Sequence, residues 1–166
     1  MACRWDLANG GSDGNDHGLF SYQQTGVTDY TPRPAFYYLY YFQKYFGDRM
    51  IGSTVSGSTD IVSYASSFSS GEAGVTLVNK GSTDKVVTIN FKNYYTGASY
   101  YYYTLKGGTD NGSFSGKVTV NNNGPSGDVG GPSSYATIAA SSSATSGGIF
   151  VTVPARGVVF LVCDKK

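Results

Sequence analysis

The chain has 166 residues, 40% apolar and 14% charged, and twelve basic against eleven acidic side chains leave a net charge of +1. That length and apolar content suit one domain with a core of its own. No Lys/Arg cluster offers a surface to track phosphates, and no run reaches the length of a membrane span, so neither nucleic acid nor membrane is an expected partner.

Residues 1–34 read as an irregular N-terminal segment. Met1-Ala2-Cys3 lacks the basic and apolar pattern of a signal peptide, so the chain is expected to start inside a longer protein or after a removed leader. Asn9 to Gly18 is a loop by composition, and Leu19 to Tyr22 suggests a short strand. Thr31-Pro32-Arg33-Pro34 announces a helix over 35–46, with Pro34 in its first turn and Gly47 as its terminator. Ala35, Leu39, Phe42 and Phe46 form its apolar stripe, widened by Tyr38 and Tyr45, while Tyr37, Tyr40, Tyr41 and Lys44 face elsewhere. A helix so aromatic on several faces is expected to be covered on more than one side.

Strands follow over 50–56, 61–68, 74–80, 85–92, 99–106, 114–120, 134–140, 148–154 and 157–163, each bounded by Gly, Ser or Asn turns. The fold class is therefore all-β: an antiparallel β-sandwich of about eight to nine strands, with one short helix near the N-terminus. The sandwich with its helix occupies 35–166, and 121–133 is a long Gly/Pro-rich loop.

Fifteen Tyr stand against one Trp, and the chain has a single Glu, Glu72. Tyr suits half-buried surfaces that meet polar ligands. In 85–92 the apolar phase is Val87, Ile89 and Phe91, which leaves Thr88, Asn90 and Lys92 in water. In the next strand Leu105 sets the inward phase, so Tyr101 and Tyr103 are expected in the core and Tyr100 and Tyr102 outside. An outer ladder of Tyr100 and Tyr102 beside Asn90, extended by Tyr94 and Tyr95, is the candidate sugar platform. The alternative is a cross-strand aromatic pair that only stabilises the sheet.

Catalytic chemistry finds little support. Glycoside hydrolysis uses paired carboxylates, whereas Glu72 reads as part of an exposed hairpin turn. His17 is the only histidine, and no nucleophile elbow accompanies it. Asp13 and Asp16, with Asn15 between them, are the candidate calcium ligands, and Asp110 and Asp128 are weaker ones. No cofactor is expected otherwise. Cys3 and Cys163 are either a disulfide joining the two ends or two unpaired thiols, with Cys163 in a strand.

Trp5-Asp6, His17-Gly18-Leu19-Phe20, Pro32-Arg33-Pro34-Ala35-Phe36-Tyr37 and Phe46-Gly47-Asp48 occur in an order that carries further information. Val62-Ser63-Tyr64-Ala65, Val75 to Lys80 and the closing Val153 to Phe160 continue it. The order resembles the junction between the catalytic barrel and the C-terminal β domain of clan A glycoside hydrolases, family 44 endoglucanases above all, with arabinofuranosidase-type and family 39 enzymes behind them. The resemblance implies a β domain without the two catalytic Glu of the barrel, and Trp5 would match the aromatic that closes the eighth barrel strand. The expected function is a non-catalytic carbohydrate-binding accessory domain of a secreted enzyme that degrades plant polysaccharides such as cellulose or xylan. Its expected partners are a polysaccharide or oligosaccharide and the parent catalytic barrel. The alternatives are a β-sandwich that only braces that barrel and, more remotely, a truncated active hydrolase.

Overall fold

The computed structural model describes residues 6–9, 18–108, 116–127 and 129–166. Trp5, Asp13, Asn15, Asp16, His17, Asp110, Asp128 and Cys3 lie outside the described residues. An antiparallel sheet of seven strands forms the body. Its members are β3 (Arg49–Ile51), β4 (Ile61–Ser67), β5 (Ala73–Asn79), β7 (Thr96–Gly107), β8 (Val118–Val120), β9 (Ser141–Ala144) and β11 (Val158–Lys165). They run in the order β3-β4-β5-β11-β7-β8, and β9 also pairs with β7. The twelve-residue β7 serves two neighbours along one edge: Leu105 to Gly107 pair with β8, and Ser99 to Tyr102 pair with β9.

One face of this sheet is covered by a hairpin-like pair, β6 (Lys85–Ile89) and β10 (Ile149–Val153). Ile61, Val75, Leu77, Tyr100, Val151, Val159, Leu161 and Cys163 fill the space between the two sheets. The other face is covered by α1 (Pro34–Tyr45), whose Tyr37 and Tyr41 pack on Tyr103, Leu105, Val118, Val120 and Phe160. A short parallel pair, β1 (Ala8–Asn9) and β2 (Phe20–Ser21), leads into the helix. The expected sandwich with one helix is what the chain builds, and the strands of the expected series over 61–68, 74–80 and 148–154 fall within a residue of their predicted bounds.

Three expectations change. The strand at 134–140 is a series of turns, held by Tyr135 N–H to the Pro132 carbonyl and Thr137 N–H to the Ser134 carbonyl. The chain then pairs through Ser141 to Ala144, which have little intrinsic strand preference but meet the free edge of β7. The strand at 50–56 stops at Ile51, and of that at 114–120 the described residues form a strand over Val118–Val120.

The helix starts as expected on Pro34, but its faces are exchanged. Tyr37 and Tyr41 are buried, whereas Leu39 and Phe42 are 43% and 42% exposed. The Tyr41 hydroxyl donates to the Tyr135 carbonyl at 2.7 Å, so that ring is buried without a stranded polar group. A fully buried aromatic contributes about 1.5–3 kcal/mol from area alone, enough to set which face docks. Gly47 ends the helix for a steric reason rather than by a left-handed cap. Phe46, the capping residue, is extended, and a Cβ on Gly47 would run into the Ser67 carbonyl of β4.

Candidate functional site

The tyrosine run of β7 spans Tyr100 to Tyr103. Tyr100, expected outside, is 2% exposed, and its hydroxyl crosses the sandwich to donate to the Phe150 carbonyl at 3.0 Å. Tyr102 stacks beside it at 6.0 Å and packs on the same core. Tyr94 turns inward too, and its hydroxyl donates to the Cys163 carbonyl at 2.9 Å. Tyr100 is thus internal, and Tyr102 and Tyr94 are partly buried against the same core instead of standing out as an open ladder. Asn90 and Tyr95 remain on the surface, Tyr95 at 83%, without the rings that were to flank them. The phase set by Leu105 is correct for Tyr103, which is buried under α1. The error lies in treating the other face as wet: β6 and β10 cover it.

Tyr101 behaves in the opposite way. Expected in the core, it is 41% exposed. It lies beyond the C-terminal turn of α1, where the helix stops covering the sheet, and there it borders an open cleft of about 410 Å³. Tyr103 and Phe160 form the buried floor. Tyr45, Phe68 and Tyr101 line the walls, and Lys44, Ser70, Glu72 and Asp164 bring polar groups to the lining.

Each element delivers its side chains for a local reason. On β11 the two-residue period puts Phe160, Val162 and Asp164 on the helix side. The turn between β4 and β5 is closed by Phe68 N–H to the Glu72 carbonyl and Gly71 N–H to the Phe68 carbonyl, both at 3.0 Å. The Asp48 carboxylate accepts from Ser69 N–H at 2.7 Å and clamps that turn to the segment after α1. Tyr45 stacks on Tyr103 at 4.6 Å, and Lys44 sits over the Tyr40 ring at 5.0 Å.

The Ser70 hydroxyl donates to the Glu72 carboxylate. This bond shifts the Glu72 carboxyl below its ordinary value and favours its ionised form. That is the reverse of a glycosidic general acid, whose pKa is raised so that it keeps its proton. The cleft therefore offers carboxylate acceptors and an ammonium donor around an apolar floor. Sequence reasoning missed Asp164, Lys44, Tyr101 and Phe68 as neighbours. The one signal available was the alternation Phe160, Val162, Asp164 at the end of the last strand.

A second cleft, of about 470 Å³, is lined by Asn121, Asn123, Ser134, Thr137 and their neighbours. Its amides are committed to the fold. Asn121 Oδ1 accepts from Thr104 N–H at 2.8 Å and its Nδ2 donates to the Ala139 carbonyl at 3.0 Å, while Asn123 Nδ2 donates to the Val120 carbonyl at 3.1 Å. Among the described residues no group of three His, Cys, Asp or Glu gathers to hold a metal. Cys163 is a free buried thiol, and burial pushes its pKa up to about 11. No helix among the described residues is long and apolar enough to cross a membrane.

No family model matches the chain, and neither does any curated protein. Solved structures do. An arabinose-bound GH51 α-L-arabinofuranosidase superposes with a TM-score of 0.68 at 14% identity, over 96% of this chain and 23% of that one. A GH30 endoxylanase from Clostridium papyrosolvens gives 0.54 at 18%, over 89% of this chain and 30% of that one. A bifunctional glucanase-xylanase from a metagenome library gives 0.51 at 22%, over 73% of this chain and 19% of that one. At these identities the likeness is one of fold. The chain spans less than a third of the length of each of these structures.

Proposed function

We propose that this chain is a non-catalytic accessory β domain of a secreted polysaccharide-degrading glycoside hydrolase, and that its first task is to brace the catalytic body. The observation that carries the reading is the helix with two apolar faces, of which only one is buried among the described residues. Tyr37 and Tyr41 dock on the sheet, while Leu39, Phe42 and the ring of Phe46 stacked on Phe42 at 4.7 Å line a face that the described residues leave partly exposed. Exposed apolar rings in that arrangement mark a surface built to be covered. The likeness to segments of three glycoside hydrolases, each longer than this chain, supports a catalytic body as the cover.

The test is a polypeptide that joins this chain to the catalytic barrel encoded next to it in its reading frame. Leu39→Gln with Phe42→Gln should cost the 166-residue chain no more than about 1–2 kcal/mol, since both side chains are partly exposed and Gln keeps helix propensity. In the joined protein the same pair should lower the melting temperature of the barrel by several degrees. A reading frame without a catalytic neighbour, or a joined protein indifferent to both substitutions, refutes the bracing role.

A second reading, carbohydrate binding by the domain itself, is favoured by the open cleft beside Tyr101 rather than by the tyrosines on the other face of β7.

A further inference from the structure

We infer that the cleft between the C-terminal turn of α1 and strands β7 and β11 binds a short neutral saccharide chain. The choice of ligand class rests on the accessory-domain reading, while the cleft itself stands without it. Its volume of about 410 Å³ lies within the usual range for small-ligand sites, about 300–1,000 Å³. Three aromatic side chains, Tyr45, Phe68 and Tyr101, border it over an apolar floor. A pyranose has one face of C–H groups and a rim of hydroxyls. The C–H face is satisfied by an aromatic ring, the hydroxyls by charged and polar groups at its edge.

The charges decide the kind of sugar. Glu72 and Asp164 bring two carboxylates and Lys44 one ammonium, so the lining carries a net negative charge. Carboxylates outnumber the ammonium two to one, which fits hydroxyl-rich neutral sugars and disfavours uronates and phosphorylated ones. The bond from Ser70 keeps Glu72 an acceptor, and the turn that carries it is tied down by Ser69 on Asp48. Tyr101 is set by its strand, paired on one side with Val162 and on the other with Ser142, so its ring is presented on a rigid frame.

Isothermal titration with cello-, xylo- and arabino-oligosaccharides, together with affinity gels of soluble glucan, xylan and arabinan, tests the site. At least one series should bind the wild-type chain. Tyr101→Ala should weaken it about tenfold or more, as loss of a stacked aromatic anchor does. Glu72→Gln should weaken it as well, and Tyr30→Ala, an exposed ring elsewhere, should leave it unchanged. If Tyr101→Ala does not fold, chemical-shift mapping on the wild-type chain takes its place, with shifts expected at Ser70, Glu72, Val162 and Asp164. Failure of every saccharide to bind, or binding indifferent to both Tyr101→Ala and Glu72→Gln, overturns the inference. Release of reducing sugar that is lost in Glu72→Gln also overturns it, by making the cleft an active site. None of these results touches the Leu39/Phe42 experiment, so the cleft and the bracing role fail separately.

Discussion

At the scale of single residues, what matters is which polar groups are spent inside the fold. Asn79 is buried at the end of β5 and uses both ends of its amide. Its Nδ2 donates to the Thr83 carbonyl at 2.8 Å and the Val153 carbonyl at 3.1 Å, and its Oδ1 accepts from Gly81 N–H at 2.9 Å. The side chain therefore ties the turn after β5 to the covering strand β10. Asn79→Ala strands these backbone groups and should cost about 2–3 kcal/mol in urea unfolding, where a surface Asn such as Asn90 should cost under about 0.5. Equal losses at the two positions would deny the tie. The residue scale is also where the sequence was read correctly on one strand and wrongly on the next. Val87, Ile89 and Phe91 do face the core, and Thr88, Asn90 and Lys92 do face water, because β6 lies in the outer layer with one wet side. Strand β7 lies between β6–β10 and α1, so alternation along it separates two interiors instead of inside from outside.

At the scale of elements, close approach rather than propensity fixes several boundaries. The loop that leads to Pro132 passes beneath the start of α1, where Val118 N–H donates to the Gly130 carbonyl at 2.8 Å and Gly130 N–H to the Gly116 carbonyl at 2.8 Å. Gly130 has a φ of +80°, and a Cβ there would meet the Pro32 carbonyl oxygen. Gly130→Ala combines left-handed strain with that clash and should destabilise the chain by about 2–3 kcal/mol in thermal unfolding. Gly127→Ala, which points into open space, should stay within about 0.5 kcal/mol. A neutral Gly130→Ala would mean that the loop does not pass under the helix as described. The Gly/Pro richness of this stretch was legible, but the contact that makes one glycine necessary was not, since Pro32 is far away in sequence. Helix α1 repeats the lesson. Its span was readable from Pro34 and the aromatic run, but with rings on most faces the pattern does not rank them. The Tyr135 carbonyl accepts from Tyr41 and the Gly131 N–H donates to Tyr37, so both hydroxyls find partners inside.

At the scale of the whole molecule, the tyrosines make stability a function of alkaline pH. Burial pushes Tyr38 up to about 12, and it raises Tyr37, Tyr41 and Tyr45 as well, with neighbouring tyrosines adding to the effect on Tyr41 and Tyr45. Cys163 is raised to about 11 by the same cause. An unfolded thiol titrates near 8.5 and an unfolded Tyr near 10, so above those values the folded chain holds more protons than the unfolded one. Stability is therefore fully present below about pH 8.5 and falls as pH rises through the range from about 9 to 12. Urea midpoints should hold steady up to about pH 8 and then drop, and the tyrosinate absorbance of all fifteen rings should be reached only as circular dichroism is lost. Ionisation of every tyrosine in an intact fold would contradict the packing of α1 on the sheet.

The sequence by itself determined the class of fold, most strand positions, the helix span and the scarcity of catalytic carboxylates, because turn residues, two-residue alternation and composition are local properties. Only the tertiary structure decided which tyrosine faces water and which carboxylate shares a cleft with it. Both depend on layers laid over β7 from opposite sides, and on a turn, a helix end and a last strand brought together from positions far apart in the chain.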